Sequence, residues 1–267
     1  NKMKNVPRGL VVAILIGRGG SVGLPNKNVY PLLNRPLMSY PLLAAQNSKF
    51  VDDVYVSSDS KEIMDIAKKF GAKTINRPPE LATSESMPED VFVHGYEFIK
   101  SHTKEKIEFI VILMCNAVSV LPETIDNGVE ILRSKKDFDS AVTVSGYNMF
   151  SPIRARKVDK DGSLIPFVSF DQFNFKVDSN RQKQDTVYFH DCGASIVRPK
   201  CLENVKEGLL PQKWMGKKIY PLIQEGVLDV DYAYELPIAE NWLKINGFTE
   251  EKLPYKLKFG LSQSIPK

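Results

Sequence analysis

The chain is poor in cysteine and histidine and has no long run of charge or of apolar residues, and each shortage removes a class of function. Its three cysteines, Cys115, Cys192 and Cys201, make an odd set with no C-x-x-C pair. That argues against a disulfide framework and against a zinc site, and a reducing cytoplasmic compartment is expected. The three histidines, His94, His102 and His190, form no H-E-x-x-H pattern, so no zinc-hydrolase helix is expected. The longest apolar run, Leu10 to Ile16, is far short of the roughly 20 residues that cross a bilayer. No small-residue cleavage site follows it, so neither a membrane partner nor an export signal is expected. Basic residues come as pairs such as Lys68-Lys69, Lys135-Lys136 and Lys217-Lys218, within a net charge of only +4. A small anionic ligand fits this pattern better than a nucleic acid does.

What is present describes an ordinary globular protein: 267 residues, 43% hydrophobic and 25% charged, enough for one large core with a smaller appendage. Leu10 to Ile16 is branched and aliphatic and ends in a glycine-rich turn, as in a first parallel strand buried on both faces. Strands are expected at Asp53 to Ser57, Ala72 to Ile75, Phe109 to Leu113, Ser140 to Ser145 and Gly193 to Val197. Helices are expected at Pro36 to Gln46, Ser60 to Phe70 with Gly71 as its stop, Glu89 to Ser101, Glu123 to Ser134 and Pro237 to Leu243. This alternation predicts an α/β fold with a mostly parallel, doubly wound sheet covered on both faces. Residues 8–146 and 187–250 would form that domain. The aromatic and polar stretch 147–186, with a hairpin signal at Lys160-Asp161-Gly162 and phenylalanines at 167, 170, 173 and 175, would be an inserted flap or dimerisation arm.

The most informative segment is Gly17-Arg-Gly-Gly-Ser-Val-Gly-Leu-Pro-Asn-Lys-Asn28, directly after the first strand. Its glycines let backbone N–H groups converge on an anion, and Arg18 and Lys27 bring two cations to the same loop. A triphosphate would suit it. The segment is not a Walker P-loop, and Val22 stands where the dinucleotide pattern needs its third glycine. Further on, Asp229 and Asp231 form a D-x-D. Carboxylates at i and i+2 near a strand end share a face, and their hard oxygens suit Mg²⁺ bridging to phosphate, although the same pattern occurs in solvated turns. No Ser/His/Asp or Cys/His nucleophile arrangement is evident.

The glycine loop resembles the opening motif of the acylneuraminate cytidylyltransferase family, A-R-G-G-S-K-G-[IL]-x-x-K-N. The resemblance continues through Val56-Ser-Ser-Asp-Ser-Lys-Glu-Ile63, Ala67-Lys-Lys-Phe-Gly-Ala72 and Arg77-Pro-Pro-Glu-Leu-Ala82, in order and near the family's spacing. It is looser at Asp185 to Val197 and at Asp229-Val-Asp231. The resemblance implies a nucleotidyltransferase, Rossmann-like fold. It also implies transfer of CMP from CTP to the anomeric hydroxyl of an acidic nine-carbon sugar, with release of pyrophosphate. By the same resemblance Arg18 and Lys27 hold phosphates, assisted by backbone amides around Gly19, Gly20, Ser21 and Gly23. Asn28 and Arg77 hold the ribose and cytosine, and Asp229 and Asp231 hold Mg²⁺, with Asp231 counted among the catalytic residues. Glu235 would support that pair from behind. The family is commonly homodimeric, so a homodimer is implied.

Departures from the pattern fall mainly on the acceptor side. Val22 replaces a lysine, and Leu113-Met-Cys-Asn-Ala-Val-Ser-Val120 stands where the family reads L-Q-P-T-S-P-L-R, so Met114 takes the place of a sugar-binding glutamine. In Tyr188-Phe-His-Asp-Cys-Gly-Ala194 the usual N-G-A is Cys-Gly-Ala, and His190-Asp191 is similar to relatives acting on pseudaminic acid. Met114, Asn116, His190 and Cys192 are therefore the sugar-contact candidates. Other readings remain open: a nucleotidyltransferase for another sugar acid, a D-x-D glycosyltransferase, or a weakened nucleotide-binding module.

Overall fold

The computed structural model describes residues 8–180 and 184–258. In chain order its elements are β1 Leu10–Ile16, β2 Pro31–Leu32, β3 Arg35–Pro36, α1 Ser39–Asn47, β4 Asp53–Ser58, α2 Lys61–Lys69, β5 Lys73–Asn76 and α3 Pro88–His102. Then follow β6 Ile107–Met114, α4 Pro122–Ser134, β7 Ser140–Gly146, β8 Arg156–Val158, β9 Leu164–Pro166, β10 Tyr188–Val197, α5 Pro199–Glu203, β11 Ile219–Gln224 and α6 Leu236–Ile245. Seven strands form one sheet in the order β11-β7-β10-β6-β1-β4-β5. All its pairings are parallel except those of β10, which runs antiparallel to β6 and β7.

The period of two along β1 explains the layering. Val11, Ala13 and Leu15 face one way and pack with Leu42 and Leu43 of α1, Ile63 and Ala67 of α2, and Ile125 and Val129 of α4. Val12 and Ile14 face the other way and pack with Phe92, Tyr96 and Ile99 of α3 and Leu202 of α5. A strand apolar on both faces needs helices on both. Local signals set the helix ends. The Ser60 side chain accepts from the Ile63 amide at the start of α2, a cap that stabilises by about 1 kcal/mol, and Gly71 at φ +79° lets the chain leave. Pro88 and Pro122 open α3 and α4 at first-turn positions that need no N–H donor.

Several boundaries differ from those read in sequence. Pro36 belongs to the β2–β3 ribbon rather than to α1, which starts at Ser39. The strand expected from Gly193 begins at Tyr188, and it breaks register between His190 and Ser195. β11 was not foreseen; its Pro221 is tolerated because β11 is an edge strand paired only with β7. Packing also runs past residue 250, where Leu253 and Leu257 lie on the core. The chain leaves the sheet at Gly146 and returns at Tyr188, its direct partner in register. Between them β8 and β9 pair across a turn with Gly162 at φ +84°. Among the described residues no helix is long and apolar enough to cross a membrane.

Candidate active site

Chain order places the main cleft. From β1 the chain goes to β4 and β5 on one side, then crosses to β6 on the other. The loops after β1 and β6 therefore diverge and leave a crevice at the strands' C-terminal ends, where open α/β sheets take ligands. A cleft of about 420 Å³ lies there. Its lining includes Arg18, Ser21, Gly23, Lys27 and Asn28 from the loop after β1, Arg77 after β5, Met114 at the end of β6 and Asn116 in the turn after it, and Asp229 and Asp231. Ten of the sequence candidates thus meet at one place, brought from four parts of the chain.

The glycine loop is held from several sides. Asn28 is buried and donates its side-chain amide to the Arg18 carbonyl at 3.1 Å. The Gly19 amide donates to Asp59 Oδ1 at 3.0 Å, so this N–H already has an acceptor. Gly20 sits at φ +68° with open space where a Cβ would be, a backbone region that favours glycine. At Gly23 a Cβ would lie 2.5 Å from the Asp231 carbonyl and 3.0 Å from the Tyr232 ring. Only a glycine lets this loop approach the D-x-D so closely. Val22, in place of the family lysine, is 87% exposed and adds no charge.

Arg77 is buried beneath this loop. Its Nη2 donates to the Ser57 carbonyl at 2.8 Å and the Gly17 carbonyl at 3.3 Å, while its Nε has no partner. Burial lowers the guanidinium from its ordinary value, partly offset by Asp59. A buried cation with one unused donor, lining the cleft, is suited to an oxygen-rich ligand.

The D-x-D is organised by three neighbours. Asn116 Nδ2 donates to Asp229 Oδ2 at 2.9 Å, the Val230 carbonyl at 3.0 Å and Asp231 Oδ1 at 3.3 Å. The Lys27 ammonium pairs with Asp231 Oδ1. Glu235 Oε2 accepts from the Asp231 and Tyr232 amides at 2.6 and 2.8 Å and so holds the backbone at the second aspartate. Burial, and then the Asp231 charge, raise the Asp229 carboxyl above its ordinary range; Asn116 and Lys27 act against this. Two carboxylates that repel one another and present hard oxygens fit a divalent cation. Among the described residues no group of three or more His, Cys, Asp or Glu is placed to hold a metal ion, so an ion on this pair would take its other ligands from phosphate and water.

His190 borders the register break of β10, Cys192 lies within it, and neither is among the cleft-lining residues. His190 Nδ1–H donates to the Thr143 carbonyl at 3.0 Å, and burial lowers the imidazole below its ordinary value. Cys192, at φ +61°, places its thiol against Asp229; burial and then the nearby aspartates raise it well above its usual value. The three cysteines are free, with Cys115 and Cys201 buried. Asn116, expected to touch sugar, has its amide directed at the aspartates instead. Asp191, noted in sequence only as part of the His190-Asp191 pair and given no role, is fully buried and accepts four hydrogen bonds. A carboxylate just before the small and apolar run Cys192 to Val197 was the available signal.

Comparison with known proteins shows the family. A family profile described as "Cytidylyltransferase" matches residues 12–162. Over 249 residues the chain is 31% identical to a Helicobacter pylori protein named pseudaminic acid cytidylyltransferase and UDP-2,4-diacetamido-2,4,6-trideoxy-beta-L-altropyranose hydrolase, covering 92% of this chain and 44% of that one. It is also 31% identical to the CMP-N,N'-diacetyllegionaminic acid synthase of Legionella pneumophila, covering 88% of this chain and 97% of that one. The chain spans about half the length of the first curated relatives it matches. Among solved structures, a CMP:2-keto-3-deoxy-manno-octonic acid synthetase complexed with CTP aligns with TM-score 0.63 at 14% identity, covering 89% of this chain and 99% of that one. At that identity the likeness speaks for the fold.

Proposed function

Because this chain belongs to the cytidylyltransferase family, we propose that it transfers CMP from CTP to the anomeric hydroxyl of an acidic nine-carbon sugar and releases pyrophosphate. The observation that carries the reading is the convergence of two opposite charge sets on one cleft. Arg18 and Lys27 of the glycine loop and the Asn116-clamped pair Asp229 and Asp231 line the same cleft, with Lys27 paired to Asp231. Transfer by in-line displacement at the α-phosphorus needs little covalent work from a protein, and positioning with charge neutralisation supplies most of the acceleration.

Arg18 and Lys27 would bind the β- and γ-phosphates that leave as pyrophosphate. Arg77, with its unused Nε donor, would take an oxygen on the nucleoside side, next to Asn28. The carboxylates of Asp229 and Asp231 would hold Mg²⁺, which neutralises charge at the α-phosphate and orients it. Asn116 and Glu235 keep those carboxylates in place.

For the acceptor, the names of the relatives and the apolar members of the cleft support a deoxygenated, diacylated nonulosonate. Met114, Leu81, Pro88 and Val91 line the cleft, and a methionine offers polarizable surface in place of hydrogen bonds. The arm between Gly146 and Tyr188 supports a homodimer, because Phe150, Phe167, Phe170 and Phe175 on it are exposed and exposed apolar clusters mark interaction surfaces. Three free thiols favour the cytoplasm as the compartment. Pyrophosphate release from CTP, assayed with a panel of acidic sugars, tests the reading. Release that ignores the sugar, or that runs as well with a purine triphosphate, would overturn it.

A further inference from the structure

We infer that Asp191 is the positioning residue that fixes the Asp229-Val230-Asp231 loop at the cleft, acting through a buried hydrogen-bond set that joins β7, β10 and β11. This rests on reading that loop as the metal-carrying part of the site. Asp191 is 0% exposed. Its Oδ1 accepts from Thr143 Oγ1 at 2.6 Å and the Gly193 amide at 3.0 Å; its Oδ2 accepts from Ser145 Oγ at 2.6 Å and Gln224 Nε2 at 2.9 Å. A buried carboxylate is costly unless so satisfied, and four donors converging from three strands define its place.

The two donors to Oδ2 each have a second contact that carries the constraint onward. Ser145 Oγ also accepts from the Gly226 amide at 2.8 Å, and Gln224 Nε2 also donates to the Ser119 carbonyl at 2.8 Å. Ser119 in turn exchanges two hydrogen bonds with Val227, accepting from its amide at 2.7 Å and donating to its carbonyl at 2.9 Å. Residues 226 and 227, just before the D-x-D, are thereby tied to the sheet. Gly226 approaches so closely that a Cβ there would lie 2.4 Å from Asp191 Oδ2.

The same carboxylate shapes β10. The register slips between His190 and Ser195, and Thr143 Oγ1 closes the slip by accepting from the Ala194 amide at 2.9 Å while donating to Asp191. Irregularities of this kind re-aim side chains at functional sites. Here the slip turns Cys192 onto Asp229. One buried group therefore sets the start of the D-x-D loop and a side chain that touches its first carboxylate.

The test uses the full chain in four forms: unmodified, Asp191→Asn, Ser145→Ala and Asp231→Asn. Mn²⁺ binding is read from the loss of the free-ion electron paramagnetic resonance signal, and metal-free CTP binding by calorimetry. Asp191→Asn keeps the shape but points an N–H₂ at donors. It is expected to weaken Mn²⁺ binding by about 10-fold or more, the usual cost of losing an outer-shell partner, with metal-free CTP affinity unchanged. Ser145→Ala is expected to give a smaller loss in the same direction, and it decides alone if Asp191→Asn does not fold. Unmodified Mn²⁺ affinity in the folded variants, or an equal loss of Mn²⁺ and CTP binding, would overturn the inference. If the unmodified protein binds Mn²⁺ no better than Asp231→Asn does, the D-x-D metal reading itself fails and takes this inference with it.

Discussion

Asn116 directs its side-chain amide at both members of the aspartate pair, 2.9 Å from Asp229 Oδ2 and 3.3 Å from Asp231 Oδ1. The residue is buried in the turn after β6, so its position is set by the sheet. An N–H₂ placed between two carboxylates screens their repulsion and fixes which lone pairs remain for a cation. Asn116→Ala removes both effects without touching the backbone bond from Val230 N to the Asn116 carbonyl. We expect kcat/KM to fall by about 10- to 100-fold, the range for such supporting partners, with more Mg²⁺ needed for half-maximal rate. Initial rates across a Mg²⁺ titration check this; an unchanged Mg²⁺ requirement would show that the amide does not organise the pair.

Arg18 and Lys27 flank the glycine loop, and Lys27 already pairs with Asp231. Removing either cation should cost about 10²-fold in kcat/KM, the scale of one preorganised charge contact. The two losses should differ in kind. Arg18→Ala should act on CTP binding, whereas Lys27→Ala, which frees Asp231, should also alter the Mg²⁺ dependence. Turnover near that of the unmodified protein at limiting CTP would remove the phosphate assignment for that residue.

Much of this site was legible because its residues carry strong local signals. The apolar run of β1 ending in glycines identifies strand and loop together, since each requires the other in a parallel sheet. Cations and paired carboxylates stand out wherever they occur. Roles that depend on distant pairing were not legible. Asn116 looks like a polar pocket residue until the fold brings it to residues 229 and 231. Asp191 reads as one more charged residue until β7 and β11 close around it. β11 itself hides behind Pro221, which disfavours a strand unless the edge position is known.

The raised Asp229 carboxyl has a consequence for stability. A carboxyl whose folded-state pKa lies above its unfolded value binds its proton more tightly when folded. The stabilisation is therefore full below the unfolded pKa and is lost as pH rises through the folded one. Once ionised, and without metal, the Asp229 carboxylate therefore opposes folding, through its burial and then through the Asp231 charge. Asp229→Asn should raise the metal-free Tm at pH 7 by about 2 °C or more, since roughly 1 kcal/mol moves a chain of this size by a few degrees. The difference should shrink towards pH 4. Mg²⁺ should raise the Tm of the unmodified protein and not that of the variant. Calorimetric scans at both pH values decide it, and a variant less stable than the parent at pH 7 would show that the pair is not in conflict.

The acceptor side gives the most discriminating prediction. Met114 stands in the cleft where family members carry a glutamine, and with Leu81, Pro88 and Val91 it makes part of the lining apolar. Asn116, the nearest amide in sequence, is committed to the aspartates. A polar substituent of the acceptor would thus lose water there without gaining a donor or acceptor, whereas a methyl or acetyl group would gain contact. A deoxygenated, diacylated nonulosonate is therefore expected to be used better than N-acetylneuraminate. An apolar pocket rejects an added hydroxyl by only about 10²-fold, so the preference should be clear without being absolute. Met114→Gln restores one donor and one acceptor and should narrow the kcat/KM ratio from the N-acetylneuraminate side, leaving the KM for CTP near its starting value. Measured ratios for the two sugars, before and after the substitution, decide the matter. Better use of N-acetylneuraminate by the unmodified protein would reverse the assignment, and a ratio that glutamine leaves unmoved would place the discrimination elsewhere in the site.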